Sequence, residues 1–191
     1  MLIVDVWDTA NWNREHFELP FVPEFNTPAY LAARYLRPLT REGHFAMLGD
    51  SVIYVWDAGH PKQPPFIVKL PDGRSLLRGF DISPDGTTAA AADQSGYLTV
   101  WKWKTRLIDR EQKVIFNQKV THLATHSVRY SPDGRRLITG AGTIEAIKFF
   151  DTETWEELLT LEGEGAVFEQ LRFSPNGRHL LAVNRDNSKA H

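Results

Sequence analysis

The chain has 191 residues, 42% hydrophobic and 24% charged, with a formal net charge of -2. That balance supports an ordinary globular core and excludes a global electrostatic pull toward nucleic acid or an anionic membrane. There is no cysteine, which excludes a disulfide framework and thiolate catalysis.

From the N-terminus, LIVDVWD (from Leu2) reads as one strand and REHFELPF (from Arg14) as the next. The segment lacks a basic stretch and Asp5 and Asp8 break its apolar run, so it does not read as a secretion signal. No apolar run approaches the ~20 residues of a membrane span, and a cytoplasmic protein is the expectation. Residues 27–70 then hold four strand-like runs, AYLAARYLR, HFAMLG, SVIYVWD and PFIVKL, here called a to d. In SVIYVWD the apolar residues do not alternate, which marks a strand covered on both faces.

The next two units are clearer copies. Residues 71–118 contain FDISPDGTTAAAA, YLTVWKW and KVIFN; residues 119–163 contain VRYSPDGRRLITG, AIKFFD and EELLTL. The chain closes with VFEQLRFSPNGRHLLAV, strands a and b of a further unit. Ser-Pro-Asp/Asn-Gly recurs at Ser83, Ser131 and Ser174, with steps of 48 and 43. Proline presets the second position of a type I turn, Ser and Asp bond nearby backbone, and Gly tolerates positive φ. A second marker keeps phase: Trp7-Asp8, Trp56-Asp57, Trp101-Lys102 and Phe150-Asp151 end the c strands. A repeat of this length with four strands per unit indicates blades. In the first unit the a–b turn, Pro38 to Gly43, is eroded.

With these motifs the chain is similar to the WD-repeat β-propellers, through VWDT, VWDA, the three turns and DTETWEELLTLEG. The resemblance implies an all-β propeller of four-stranded antiparallel blades, as one domain over 1–191. Three blades are complete (about 27–70, 71–118 and 119–163), and 1–26 with 164–191 supply terminal strands that could form a fourth. The family's supporting Asp before the Trp matches Asp50 and, loosely, Asp93; the third unit has none. Gly163-Glu164-Gly165 stands where Gly-His is expected. The blades should therefore be held chiefly by apolar packing.

The chemistry-bearing residues read mostly as surface. His122 and His126, four apart, would share a face of a strand, but no third ligand accompanies them. WKWKTRLIDREQK interleaves lysines with indoles, as single-strand nucleic-acid binders do. It reads better as a solvated strand face, with the lysines guarding an outer strand from edge pairing. Glu162 and Glu164 have no converging partner for acid–base work. No catalytic residue, metal or cofactor is expected.

The resemblance implies a non-catalytic scaffold for a protein or peptide, without nucleic acid or membrane. Its b–c and d–a loops share one rim, where by position Asp50, Gln94, Tyr97, Glu145 and Arg185 lie, with Tyr97 as the aromatic anchor. The alternative is a ligand-binding or hydrolytic propeller of TolB-like or lactonase-like kind, which shares the SPDG turns; the candidate inner strands offer few of the acids such a site gathers. A start in strand c and an end after strand b suggest either a fragment of a larger propeller or closure of the ring. In closure Leu2, Val4 and Val6 lie beside Leu180, Leu181 and Val183, within one chain or in a homodimer joined end to end.

Overall fold

The computed structural model describes residues 2–7, 10–19, 37–38, 44–48, 52–57, 65–71, 77–103, 112–142, 144–163 and 167–184. Those residues are almost entirely strands, with no α-helix among them, and every pairing between strands is antiparallel. The chain divides into two compact units, Met1–Pro71 and Asp72–His191.

In the first unit, β1 (Leu2–Trp7) and β2 (Arg14–Leu19) form a two-stranded sheet. β3 (Arg37–Pro38), β4 (His44–Leu48), β5 (Val52–Asp57) and β6 (Phe66–Lys69) form a four-stranded sheet in chain order. Val52, Ile53, Tyr54 and Val55 are all buried, as their unbroken apolar run anticipates. The expected a strand over 29–37 lies outside the described residues except for Arg37. Pro38, expected in the turn, instead pairs with Phe45 as a strand residue.

The second unit repeats this build. β7 (Leu77–Ile82), β8 (Thr88–Asp93), β9 (Tyr97–Trp103) and β10 (Gln112–Lys119) form one sheet. β11 (Thr125–Tyr130), β12 (Arg136–Ala141), β13 (Ile147–Asp151) and β14 (Glu157–Leu161) form the next. β15 (Phe168–Phe173) and β16 (Leu180–Asn184) form a two-stranded sheet. The four-stranded antiparallel blade is thus observed, and each blade is a simple meander.

Ala90 and Ala92 of β8, Leu98 and Val100 of β9, Val128 and Tyr130 of β11, Leu137 of β12 and Phe150 of β13 form one apolar cluster. Each fully buried Leu or Val there contributes about 1.5–3 kcal/mol. The residues β13 turns the other way, Ile147 and Phe149, pack with Phe168, Leu171 and Ala182 of the last hairpin. The period-2 alternation of one strand therefore feeds two different cores. Trp101 and Phe150 are buried, whereas Trp7, at the same repeat position on a two-stranded sheet, is 51% exposed.

The three Ser-Pro-Asp/Asn-Gly turns share one set of bonds. In each, the serine Oγ donates to the Asp or Asn side chain and accepts from the backbone N–H five residues on. The glycine N–H donates to the serine carbonyl, at φ of 71°, 72° and 69°. The turns also touch in sequence: a Cβ on Gly134 would lie 3.5 Å from the Pro84 ring, and one on Gly177 would lie 3.6 Å from the Pro132 ring.

Polar ties join the apolar packing expected between the sheets, and one expectation needs correction. The sheets are not joined by apolar packing alone: the Tyr130 N–H donates to Asp81 Oδ2 (2.8 Å), Arg129 Nη1 to the Phe80 carbonyl (3.1 Å), and Ser127 Oγ to the Phe168 carbonyl (3.2 Å). Asp81 and Glu169 are the few acids on these inner strands. The correction concerns Lys102, which is exposed beside buried Trp101: β9 pairs with both β8 and β10, so it is not an edge strand and Lys102 has no edge to guard.

Glycine substitutions should grade these contacts. A Cβ on Gly96, at φ +85°, would collide with the Thr121 carbonyl, whereas one on Gly134, at φ +72°, meets only the Pro84 ring at ordinary contact distance. Gly134→Ala should cost about 1–2 kcal/mol for the left-handed backbone. Gly96→Ala should add about 1–3 kcal/mol of overpacking to a similar term. Urea denaturation of both variants should show Gly96→Ala as clearly the less stable.

Candidate functional site

The b–c turns and d–a connections meet in the second unit. Between β8 and β9, Asp93 Oδ1 accepts from the backbone N–H groups of Ser95 (2.9 Å) and Tyr97 (3.0 Å), which fixes the turn. This is the loosely matched Asp of the sequence reading, and it acts on the backbone. The Gly96 carbonyl accepts from the N–H groups of Val120 and Thr121, so the β8–β9 turn is bonded to the segment leaving β10. Thr121 Oγ1 donates to the Leu123 carbonyl (2.6 Å) and lies 2.9 Å from Thr125 Oγ1.

The other side of that segment meets the β12–β13 bend. Glu145 Oε2 accepts from the His122 N–H (3.1 Å) and sits 2.9 Å from His122 Nδ1, while Oε1 lies 3.2 Å from Lys148 Nζ. Lys148 Nζ also donates to Glu157 Oε2 at 3.0 Å. The Lys148 side chain is only 9% exposed, and such a cation is retained where carboxylates pair with it. The hydrogen bond from His122 holds the Glu145 carboxyl down to about 2. Burial acts to lower the Lys148 pKa, but the bonds to Glu157 and Glu145 outweigh it and the pKa is raised. Burial likewise acts to raise that of Glu157, and the bonds from Thr160 and Lys148 outweigh it, leaving it lowered.

Beside this cluster lies a cleft of about 370 Å³ between β10 and β13–β14. Its floor is Phe116, Phe150 and Trp155, with ring centroids 6.4 Å apart for Phe116–Phe150 and 5.7 Å for Phe116–Trp155. Trp155 sits in the β13–β14 turn at φ +62°, a conformation uncommon for a bulky residue. Its N–H donates to the Asp151 carbonyl, and Asp151 Oδ1 accepts from the N–H groups of Glu153 and Thr154. The turn has a counterpart: Asp8-Thr9-Ala10-Asn11-Trp12 matches Asp151-Thr152-Glu153-Thr154-Trp155, and Trp12 has φ +61°.

Of the five rim positions, Asp50 and Arg185 lie outside the described residues. Gln94 is exposed in the β8–β9 turn and accepts from Arg78 Nη2 (2.9 Å). Tyr97 opens β9, half-buried, paired with Lys119 in register. Glu145 stands in the corresponding bend of the next sheet, joined to His122 and Lys148. Sequence reading missed Lys148 and Glu157, since a lone Lys in an apolar strand carries no pattern; the alternation of IKFFD could have placed Lys148 on the Phe150 face. His122 and His126 do not share a strand face. His122 is in the bend before β11 and bonds Glu145, and only His126 is on the strand. Among the described residues no three His, Cys, Asp or Glu side chains gather as a metal site, and no helix is long and apolar enough to cross a membrane.

The inner strands of the second unit, β7, β11 and β15, also carry a register irregularity at one repeat position: between Leu77 and Gly79, Thr125 and Ser127, and Phe168 and Gln170. The residues skipped are Arg78, His126 and Glu169, as expected where a bulge re-aims a polar side chain.

Acidification should report on the Glu145 cluster. Its folded carboxyl titrates below its ordinary value of 4.5, so the ionised form stabilises the fold. That contribution is complete above about 4.5 and is lost as pH falls toward about 2. Melting curves across that window should fall less steeply for Glu145→Gln than for the parent chain.

No protein-family profile matches the chain. It is 28% identical over 113 residues to Protein LST8 homolog of Drosophila melanogaster, covering 56% of this chain and 34% of that protein. It is 27% identical over 128 residues to Protein hir-1 of Neurospora crassa, covering 55% and 12%. It is 27% identical over 189 residues to Meiotic recombination protein rec14 of Schizosaccharomyces pombe, covering 92% and 55%. The chain thus spans about half or less of the length of these curated relatives. All three are WD-repeat proteins, and this chain shares with that family both its sequence repeats and its four-stranded antiparallel blades.

Proposed function

We propose that the chain is a non-catalytic interaction platform, acting in the cytoplasm, whose protein or peptide partner docks on the rim of b–c turns and d–a connections. The observation that carries this reading is the bonding of residues 120–122, tied to Gly96 on one side and to Glu145 on the other. A rim held in this way loses little conformational entropy when a partner binds. The similarity to WD-repeat proteins supports it. The contact residues are Asp50, Gln94, Tyr97, Glu145 and Arg185, with Tyr97 as the anchor. Affinity capture followed by alanine variants tests it: Tyr97→Ala should cost about 2 kcal/mol of binding if it is a hot spot, with folding retained. Partner binding untouched by Tyr97→Ala and Arg185→Ala would place the contact elsewhere.

A second reading concerns self-association, and the two-stranded sheets favour it. β15–β16 supplies strands a and b of a blade, and β1–β2 repeats the turn of the c–d hairpin β13–β14. Leu159, Leu161 and Leu181 remain 50%, 41% and 47% exposed. Leu159 and Leu161 pair with Phe149 and Ile147, on the face turned toward β15–β16. A β1–β2 hairpin from a second copy would complete the four-stranded sheet and cover these leucines. Sedimentation should then give a species of twice 21.8 kDa, and removal of residues 1–22 should cause aggregation. A monomer at every concentration, with an unchanged melting transition after that deletion, would refute the pairing.

A further inference from the structure

The cleft between β10 and β14 is chemically asymmetric. Its lining includes Lys119 with the bonded pair His122 and Glu145, and the ring pair Phe116 and Trp155 with Glu157. Lys148 lies between, bonded to both carboxylates. Glu145, Glu157 and Lys148 together carry one excess negative charge, which is local to that cluster because Lys119 balances it over the whole lining. Two carboxylates offer about eight acceptor sites, and among the described residues five donors reach them: the N–H and ring nitrogen of His122, Lys148 at each carboxylate, and Thr160 Oγ1. Glu145 accepts three of these and Glu157 two, so the spare acceptor capacity lies mainly at Glu157. The Glu157 side chain is 42% exposed and open to an incoming donor.

The surroundings sharpen the preference. Phe116 and Trp155 are half-buried, giving an aromatic surface next to an acceptor. Glu153 and Glu156 flank Trp155, both exposed, and residues 152–163 contain no Lys or Arg. Lys119 of the lining is exposed; it disfavours a second cation beside it and so directs one toward Glu157. An apolar stem lying over aromatic rings and ending in a planar, multiply donating cation describes arginine better than lysine.

We propose that this cleft is a recognition site for an arginine side chain of a partner peptide, its stem on Trp155 and Phe116 and its guanidinium on Glu157. The site extends the interaction reading, since it adjoins the rim at Glu145 and names the chemistry its partner presents.

The test uses the whole chain and a fluorescein-labelled hexapeptide with one central arginine. Matched peptides carry citrulline, which keeps the shape without the charge, or glutamate. Fluorescence anisotropy should show the arginine peptide binding, the citrulline peptide about tenfold weaker and the glutamate peptide weaker still, as loss of a charge-assisted hydrogen bond requires. Glu157→Gln should weaken the arginine peptide about tenfold. Should that variant melt early, Trp155→Phe supplies the second check, with affinity falling several-fold through the smaller cation–π surface. Equal binding of the arginine and citrulline peptides, no binding of the arginine peptide, or a well-folded Glu157→Gln with unchanged affinity would overturn the proposal. Tyr97→Ala should leave arginine-peptide affinity unaltered. The rim reading can therefore fail while the cleft stands, and a loss on Tyr97→Ala would place the peptide outside the cleft.

Discussion

The packing of the second unit depends on how closely the backbones of its inner strands approach. A Cβ on Gly79 would lie 2.8 Å from the Ser127 Cα, and one on Gly140 would collide with Ser127 Oγ and lie 2.7 Å from the Phe168 carbonyl. Contacts this short leave room only for hydrogen at those positions. They bring β7 against β11, and β12 against β15, at a separation where polar backbone atoms need partners. The bonds from Tyr130 to Asp81, Arg129 to Phe80 and Ser127 to Phe168 supply them. The alanines of β8, all buried, fit the same narrow spacing, whereas larger rings such as Phe116 and Trp155 lie farther out on the sheet.

The a–b turns answer to the same spacing. Each is a self-sufficient bonding unit, with serine, Asp or Asn, and glycine satisfying one another's polar groups. The first two also present a proline ring to the glycine of the turn that follows. Local turn chemistry and contact between successive sheets therefore ask for the same residues, the agreement between levels that makes a sequence specify one arrangement.

The candidate site shows where such agreement stops. Gln94, Tyr97 and Glu145 could be placed at or beside b–c turns from repeat phase alone, because turn position is a local property. Their partners could not. Glu145 bonds His122, 23 residues earlier, and Lys148 joins carboxylates from a bend and a strand. Those pairings arise from the juxtaposition of two sheets, and no periodicity in either sheet encodes them. The same holds for His122 and His126, four apart in sequence, which the bend before β11 separates.

The sequence by itself determined the number and order of strands in each complete blade, the placement of the three turns and the burial of the c strands. Each of these rests on short-range rules: φ preferences of Pro and Gly, alternation along a strand, and unbroken apolar runs where both faces are covered. Tertiary structure alone decided the repeated irregularity in the inner strands, the polar ties between sheets, the left-handed Trp155 and the cleft it helps to floor. These features require atoms distant in sequence to come within hydrogen-bonding or van der Waals range, where energies change over fractions of an ångström that residue patterns do not resolve.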